Sequence, residues 1–554
     1  MFTLCVANRE YTEWTFQAEQ SQAEQSQAEQ EQLNIALSPL VHKLFHGDKI
    51  NASGKLIYSP YREKTVICGL LLTSEKTYGR SGTKFLYKCV PDAEHLPCFL
   101  VAYEEKNIGF TKTRKNKYIT FRIKEWKEKH PLGVLVETFG DVDDSYIAYK
   151  MASKELNASL KTLNAMSLRA LREKTLEPIP LYCENLAIED RRTWPILSID
   201  PAGCQDIDDA VGIRQLPNEQ TMLSIYIANV PLMLEYLQLW PYLTDRVATI
   251  YLPDSKIPML PVALSENACS LLENTDRLAF VLDITLNKYQ ALQGLKCKST
   301  IIRVEKNYAY DAPELLNRAM YKQILTTVRE LNKEAAYVDK IINSHDVVEY
   351  CMLRMNHECA KILEAKKGGI FRSAQKKAIN VEVLQPELKR ILESSAGDYC
   401  TYADRKPHEL LGLERYIHIT SPIRRIVDIV NMFELLEDTM RWTADAKAFK
   451  AKWQGQIATI NTKAKAIRKL QNEMQLLHTY TQWPDRTYLG FIFEKAGAKS
   501  AAGLYKYKVY IAETKMLTTV KSHKDVSNYS TVYFSAHLFL DEAKMTKKIR
   551  LQLL

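Results

Sequence analysis

The chain has 554 residues, with 75 Lys+Arg against 66 Asp+Glu and a net charge of +9 when His is neutral. Its hydrophobic fraction of 46% and charged fraction of 25% are those of folded soluble domains and exclude a collagenous, fibrous or wholly disordered chain; the length suits about three to five domains. No uncharged apolar run of about 18 residues occurs, so no membrane-spanning helix is expected. The start MFTLCVANREYTEWTF lacks the basic region and apolar run of a secretion signal, so the expectation is an intracellular protein, cytoplasmic or nuclear. Eleven Cys are scattered without a C-x-x-C pair, which reads as reduced thiols rather than a disulfide framework or a zinc site.

In chain order, Gln17 to Gln30 repeats the unit QAEQS, too polar to bury anything, and reads as a spacer. From about residue 34 to 149 the runs KLIYSP, TVICGLLL, KFLYKCV, CFLVAYE, KYITFRI and GVLVETFG have the length and spacing of strands in two small antiparallel barrels. Residues 151–180 read helical, with Leu156, Leu160, Leu163, Leu168 and Leu171 on one face. A mixed region of strands and helices follows to about 440, then one long basic amphipathic helix from Thr443 to Thr481. The tail, with YLGFIF, YKYKVYI, STVYFSA and KIRLQLL, reads as a third barrel.

Charge is unevenly spread. Residues 441–554 carry 20 Lys+Arg and 8 Asp+Glu, which leaves the remainder net negative. A second basic cluster, Lys106 to Lys129, alternates with Phe110, Tyr118, Phe121 and Trp126. Cations interleaved with aromatic rings suit a polyanion with stackable bases, and a solvated charged face is the alternative.

The sharpest feature is LSIDPAGCQDIDDA, in which Asp200, Asp206, Asp208 and Asp209 fall within ten residues. Carboxylates this close raise one another's pKa unless a cation neutralises them. A hard divalent ion such as Mg²⁺, which also accepts phosphate oxygens, resolves the repulsion; a solvated acidic turn is the other reading. A second segment is YIHITSPIRRIVD, where Pro422 is expected to open a helix capped by Thr420 or Ser421, with free amides that favour a phosphate. Arg424 and Arg425 lie just inside and could stabilise charge on a phosphoryl group; surface Arg on an ordinary helix is the alternative.

Together these segments resemble the ribonuclease II (RNB) family of 3′→5′ exoribonucleases. The spacing Asp200, Asp206, Asp208-Asp209 is the family's complete acidic motif. Its HxGLGxxxYTHxTSPIRRYxD signature is matched by His408, Leu411, Gly412, Tyr416, His418, Thr420 to Arg425 and Asp428. Arg246, Tyr251-Leu252-Pro253-Asp254, Ile257 to Pro261, Cys269-Ser270-Leu271 and Asp276 to Phe280 continue the match. The segment KNKYITFRIKEW…HPLGVLVETFG looks most like the eukaryotic exosome-type branch, without room for that branch's N-terminal endonuclease domain.

The resemblance implies a multidomain chain: an N-terminal extension (1–33), two cold-shock OB-type barrels (34–90, and 91–180 with a linker helix), a central α+β RNB catalytic domain (181–484) and a C-terminal OB-fold barrel (485–554). It implies hydrolysis of single-stranded RNA to nucleoside 5′-monophosphates by a monomer that needs no membrane. Two Mg²⁺ ions, for which Mn²⁺ can substitute, would be held by Asp200, Asp206, Asp208 and Asp209 for in-line hydrolysis. Arg424 is implied as transition-state stabiliser with Arg425 beside it. Tyr251 and Tyr310 would contact terminal nucleotides, and Glu349 a ribose hydroxyl.

The departures are specific. The family's HIADV strand reads Tyr226-Ile227-Ala228-Asn229-Val230, losing a His and an Asp expected beside the site. Tyr350 replaces the second Glu of an adjacent pair, and Leu325 to His345 is too short for the family's hairpin with its aromatic clamp. His357 and His408 are read as structural. These departures leave an alternative: a catalytically inactive RNB-like protein that binds RNA or scaffolds a complex.

Overall fold

The computed structural model describes residues 1–18, 37–63, 65–104, 114–142, 144, 146–174, 179–186, 188–217, 219–376, 397–482, 486–495, 503–513, 516–541 and 546–554. These fold as two compact units, 1–157 with 475–554, and 158–474. Among the described residues no helix is long and apolar enough to cross a membrane. The QAEQS repeat from Glu19 onward and Phe110 lie outside the described residues.

In the first unit, all six expected β runs are strands. Five form a closed ring: Ile67–Leu71 pairs with both Lys117–Glu125 and Lys84–Pro91, while Phe99–Tyr103 runs parallel to Leu132–Asp141. Closure removes the sheet edges and leaves one face of every strand for a core. Gly133 permits it, because a Cβ there would lie 2.7 Å from the Phe121 ring.

Two expectations change here. Phe2–Val6 and Trp14–Ala18, placed by sequence in an extension, pair with each other and belong to a four-stranded sheet with Lys49–Ile50 and Leu56–Tyr58. Leu4, Val6 and Phe16 alternate inward to the same core as Phe99 and Phe121, which anchors the terminus. Tyr118, Phe121 and Trp126 are buried, so the described aromatic members of the basic cluster are core residues of a strand and its flank, not a stacking surface. Tyr118, Ile119, Thr120 and Phe121 are buried in succession, with Tyr118 and Phe121 packed into two different clusters, so both faces of this strand are covered.

The tail forms a five-stranded antiparallel sheet in the order Met516–Ser522, Tyr505–Ile511, Thr487–Lys495, Thr531–Asp541, Thr546–Leu553. Tyr507, Val509 and Phe534 fill its core.

The second unit is built on a mixed seven-stranded sheet ordered Glu189–Arg191, Leu292–Arg303, Asp276–Leu286, Gln220–Ala228, Asp209–Leu216, Ile196–Asp200, Lys306–Ala309. Helices Val230–Tyr236, Ala319–Glu334, Ser344–Ala365 and Ile426–Leu436 belong to it. Between Ala319 and Ala365 the chain passes from helix to helix without a strand, in line with the missing hairpin. The long basic helix is two, Ala444–Gly455 and Ile457–Gln482, broken at Gln456.

One buried ion pair braces this sheet. Arg191, 1% exposed, donates to both carboxylate oxygens of Asp283 at 2.7 and 2.6 Å and to the Tyr226 hydroxyl at 3.3 Å, and its guanidinium lies 4.0 Å from the Trp194 ring centroid. Tyr226, the residue in place of the family's His, is therefore part of a structural network. Arg191→Ala would leave Asp283 buried without its bidentate partner, so a loss of about 3–5 kcal/mol is expected, read as a lower denaturant midpoint. A midpoint equal to wild type would show the pair to be dispensable.

Candidate active site

Asp200 ends the strand Ile196–Asp200, which is pinned by Lys306–Ala309 on one side and Asp209–Leu216 on the other. Between Asp200 and Asp209 the chain turns through Gly203, whose φ of +80° suits a residue without a Cβ. Ser270 holds the loop: its hydroxyl donates to the Gln205 carbonyl at 2.6 Å and accepts from the Ile207 amide at 3.0 Å. All four aspartates thereby line one cleft of about 480 Å³, together with Tyr251, Tyr310, Arg424 and Arg425.

Each carboxylate has its own environment. Asp208 is 3% exposed; it accepts from the Ile423 amide at 3.0 Å and from Arg424 Nε at 3.0 Å. Burial still pushes its pKa up to about 7. Asp200 is raised to about 6 by burial and by Asp206, against a hydrogen bond from Ser198, and its buried Oδ2 has no hydrogen-bond partner. Asp209 is held well above the usual range by burial and by Asp200 and Asp208. Asp206 instead meets Lys256, whose Nζ lies 2.7 Å from Asp206 and 2.7 Å from Glu266.

Among the described residues no three Asp, Glu, His or Cys side chains close on one point as a metal cage. The reason is visible in the pairings, since Asp206 and Asp208 take protein cations as partners. The donor set still fits a hard cation: it is all carboxylate, its charge is unneutralised at Asp200 and Asp209, and one buried oxygen is orphaned.

A sign follows for pH. Acids whose pKa is raised bind protons more tightly when folded, so their contribution to stability is full below the unfolded value near 3.8 and is lost as pH rises through 6 to 7. In EDTA the unfolding temperature is expected to fall between about pH 5 and pH 8, and Mg²⁺ is expected to raise it at pH 8 but scarcely at pH 5, because only deprotonated ligands bind. Thermal scans at both pH values check this; an equal Mg²⁺ effect at each would contradict it.

The second motif folds differently from its expectation. The helix begins at Ile426, with Arg425 at its N-cap, four residues after Pro422. The amides that were to favour a phosphate are taken: Ile423 donates to Asp208 and Ser421 to Asp428 at 2.7 Å. Arg425 pairs with Asp428 at 2.8 Å. What this segment brings to the cleft is the pair of guanidinium groups together with Tyr416, His418, Thr420 and Ser421.

Tyr251 is 42% exposed and Tyr310 stacks on His345 at 3.6 Å with 7° between planes; both line the cleft. Glu349 does not. It is exposed on the helix Ser344–Ala365, which presents Val348, Met352 and Asn356 to the cleft; in i, i+3, i+7 register with Met352 and Asn356, it sits at the border of that face. Its expected ribose contact rests on the family resemblance. Asn229 caps the helix Val230–Tyr236 by accepting from the Leu232 amide at 3.1 Å, a structural task that either Asn or Asp performs. His357 bonds the Tyr337 hydroxyl at 2.6 Å, and His408 lies 5.1 Å from the Tyr416 ring, so both pack structurally. Lys256 was missed by sequence because an isolated Lys in the short strand Ser255–Ile257 carries no pattern; only the folded structure sets it against Asp206.

Residues 188–323 match the RNB domain family. The chain carries an RNB domain. The acidic loop and the seven-stranded sheet up to Lys306–Ala309 lie inside that match, whereas Arg424 and Arg425 follow it. Ribonuclease R of Chlamydia muridarum is 27% identical to the chain over 368 residues, 51% of this chain and 53% of that relative. Exosome complex exonuclease RRP44 of Mus musculus is 32% identical over 158 residues, 27% of this chain and 16% of that relative. The chain thus spans about half or less of the length of these RNB-domain relatives. Among solved structures, Mycoplasma genitalium RNase R in complex with ribose methylated single-stranded RNA aligns over 92% of this chain and 95% of its own, with a TM-score of 0.66 at 15% identity. Yeast Ssd1, a pseudonuclease, aligns over 87% of this chain and 67% of its own, with a TM-score of 0.57 at 14% identity. At these identities the likeness is one of fold: OB-type barrels and an RNB domain.

Proposed function

We propose that this chain hydrolyses single-stranded RNA from its 3′ end, releasing nucleoside 5′-monophosphates in the presence of Mg²⁺. The observation that carries the proposal is the meeting of Asp200, Asp206, Asp208 and Asp209 with Arg424 in one cleft, within a chain whose relatives are named Ribonuclease R and exosome exonuclease. The four aspartates are the ligands for the metal, which when bound supplies Lewis-acid polarisation and a nucleophilic water at neutral pH. Arg424, reaching the cleft from Asp208, stabilises charge on the phosphoryl oxygens. Tyr251 and Tyr310 offer ring faces on which bases stack without regard to sequence, and Arg425 adds positive charge.

The test is a 5′-labelled oligoribonucleotide incubated with Mg²⁺ or EDTA and run on a sequencing gel. A ladder in Mg²⁺ alone is expected. The second reading, an RNA-binding protein without turnover, is favoured by the commitment of Asp206 and Asp208 to Lys256 and Arg424 and by the shared fold with a pseudonuclease; retained binding with no ladder at any Mg²⁺ concentration would establish it.

A further inference from the structure

Beside the acidic cleft lies a second, smaller one of about 230 Å³ that shares Tyr251, Arg424 and Arg425 with it and adds Arg372 and Arg468. Among the described residues no acidic side chain lines it. Two of its four arginines are neutralised, Arg424 by Asp208 and Arg425 by Asp428. The other two make no ion pair with a described carboxylate. Asp398, which acts on Arg372 through space, is itself paired with Lys465 at 2.9 Å. Arg372 lies over the Tyr399 ring at 4.7 Å, which fixes its plane, and Arg468 repels it. Two like charges held together on an apolar floor that includes Val247, Ile460 and Ile467 are what an anion of fixed geometry would neutralise, and planar guanidinium forks match phosphate oxygens.

We infer that this second cleft binds a phosphate group through Arg372 and Arg468, next to the site of hydrolysis. The inference rests on the exoribonuclease reading for the identity of the ligand, which is either a phosphodiester of the bound strand or the phosphate of the released 5′-monophosphate. The shared wall with the acidic cleft admits both sources, and both present the same oxygens.

The full chain in EDTA separates them. Inorganic phosphate, 5′-AMP, adenosine and a labelled single-stranded oligoribonucleotide are titrated against wild type, Arg468→Gln and Arg468→Lys. Arg468 is exposed, so the variants are expected to fold as wild type does. Loss of a charge-assisted contact predicts about tenfold weaker phosphate binding in Arg468→Gln, with partial recovery in Arg468→Lys, which keeps the charge but not the fork. Weakening of 5′-AMP and inorganic phosphate with adenosine unchanged assigns the pocket to the released product; weakening of the oligoribonucleotide alone assigns it to the strand. Unchanged binding of every phosphate ligand in Arg468→Gln, or none in wild type, overturns the pocket. A Mg²⁺-dependent ladder alongside unchanged binding would remove the pocket and leave the activity standing. Arg468-dependent 5′-AMP binding without any ladder would do the reverse.

Discussion

Asp208→Asn is expected to lower RNA turnover by about 10³-fold or more while leaving RNA bound. Asn keeps an oxygen for the Ile423 amide, so the loop that Asp208 anchors stays in place. What disappears is the negative charge in the middle of the carboxylate group, and with it both metal affinity and the partner of Arg424. The cleft also becomes one unit more positive, so binding of a polyanion is unchanged or tighter. Single-turnover cleavage and fluorescence anisotropy on the same preparation check both halves. Cleavage at the wild-type rate would remove Asp208 from the mechanism, and parallel loss of cleavage and binding would point to a damaged fold.

Arg424→Lys is expected to cost about 10²-fold in kcat, and Arg424→Ala about 10³-fold, with smaller changes in KM. Arg424 uses Nε to hold Asp208, and its side chain remains 42% exposed, so the terminal nitrogens can reach substrate. A Lys supplies charge but cannot hold Asp208 and a phosphoryl oxygen through one rigid plane. Equal activity in all three proteins would show that Arg424 serves only as the counter-ion of Asp208; a KM effect without a kcat effect would make it a binding residue.

Much of the second unit was legible because its signals are local. The strand Ile196–Asp200, the turn at Gly203 and the crowding of four aspartates are set within fourteen residues, and the strands of the barrels announce themselves by short β-rich runs between turns. Charge patterning was less informative. The Lys106–Lys129 cluster looked like a nucleic-acid surface, yet its described aromatic residues are core, because the strand Lys117–Glu125 is packed on both faces from Tyr118 to Phe121. The SPIRR segment read as a helix start, and the amides it was to offer are consumed by Asp208 and Asp428, which lie 215 and 7 residues away from their respective partners.

The amino-acid sequence by itself determined the acidic loop, the arginine pair, the succession of β runs and helices, and the family likeness, since each depends on neighbours along the chain. Tertiary structure alone decided which cation meets which aspartate, that Tyr226 and Asn229 are structural, and that Arg372 and Arg468 stand together without an ion pair to a described carboxylate. Those outcomes turn on side chains brought within a few ångströms from distant positions, where Coulomb and hydrogen-bond energies act, and separation along the chain says nothing about such distances.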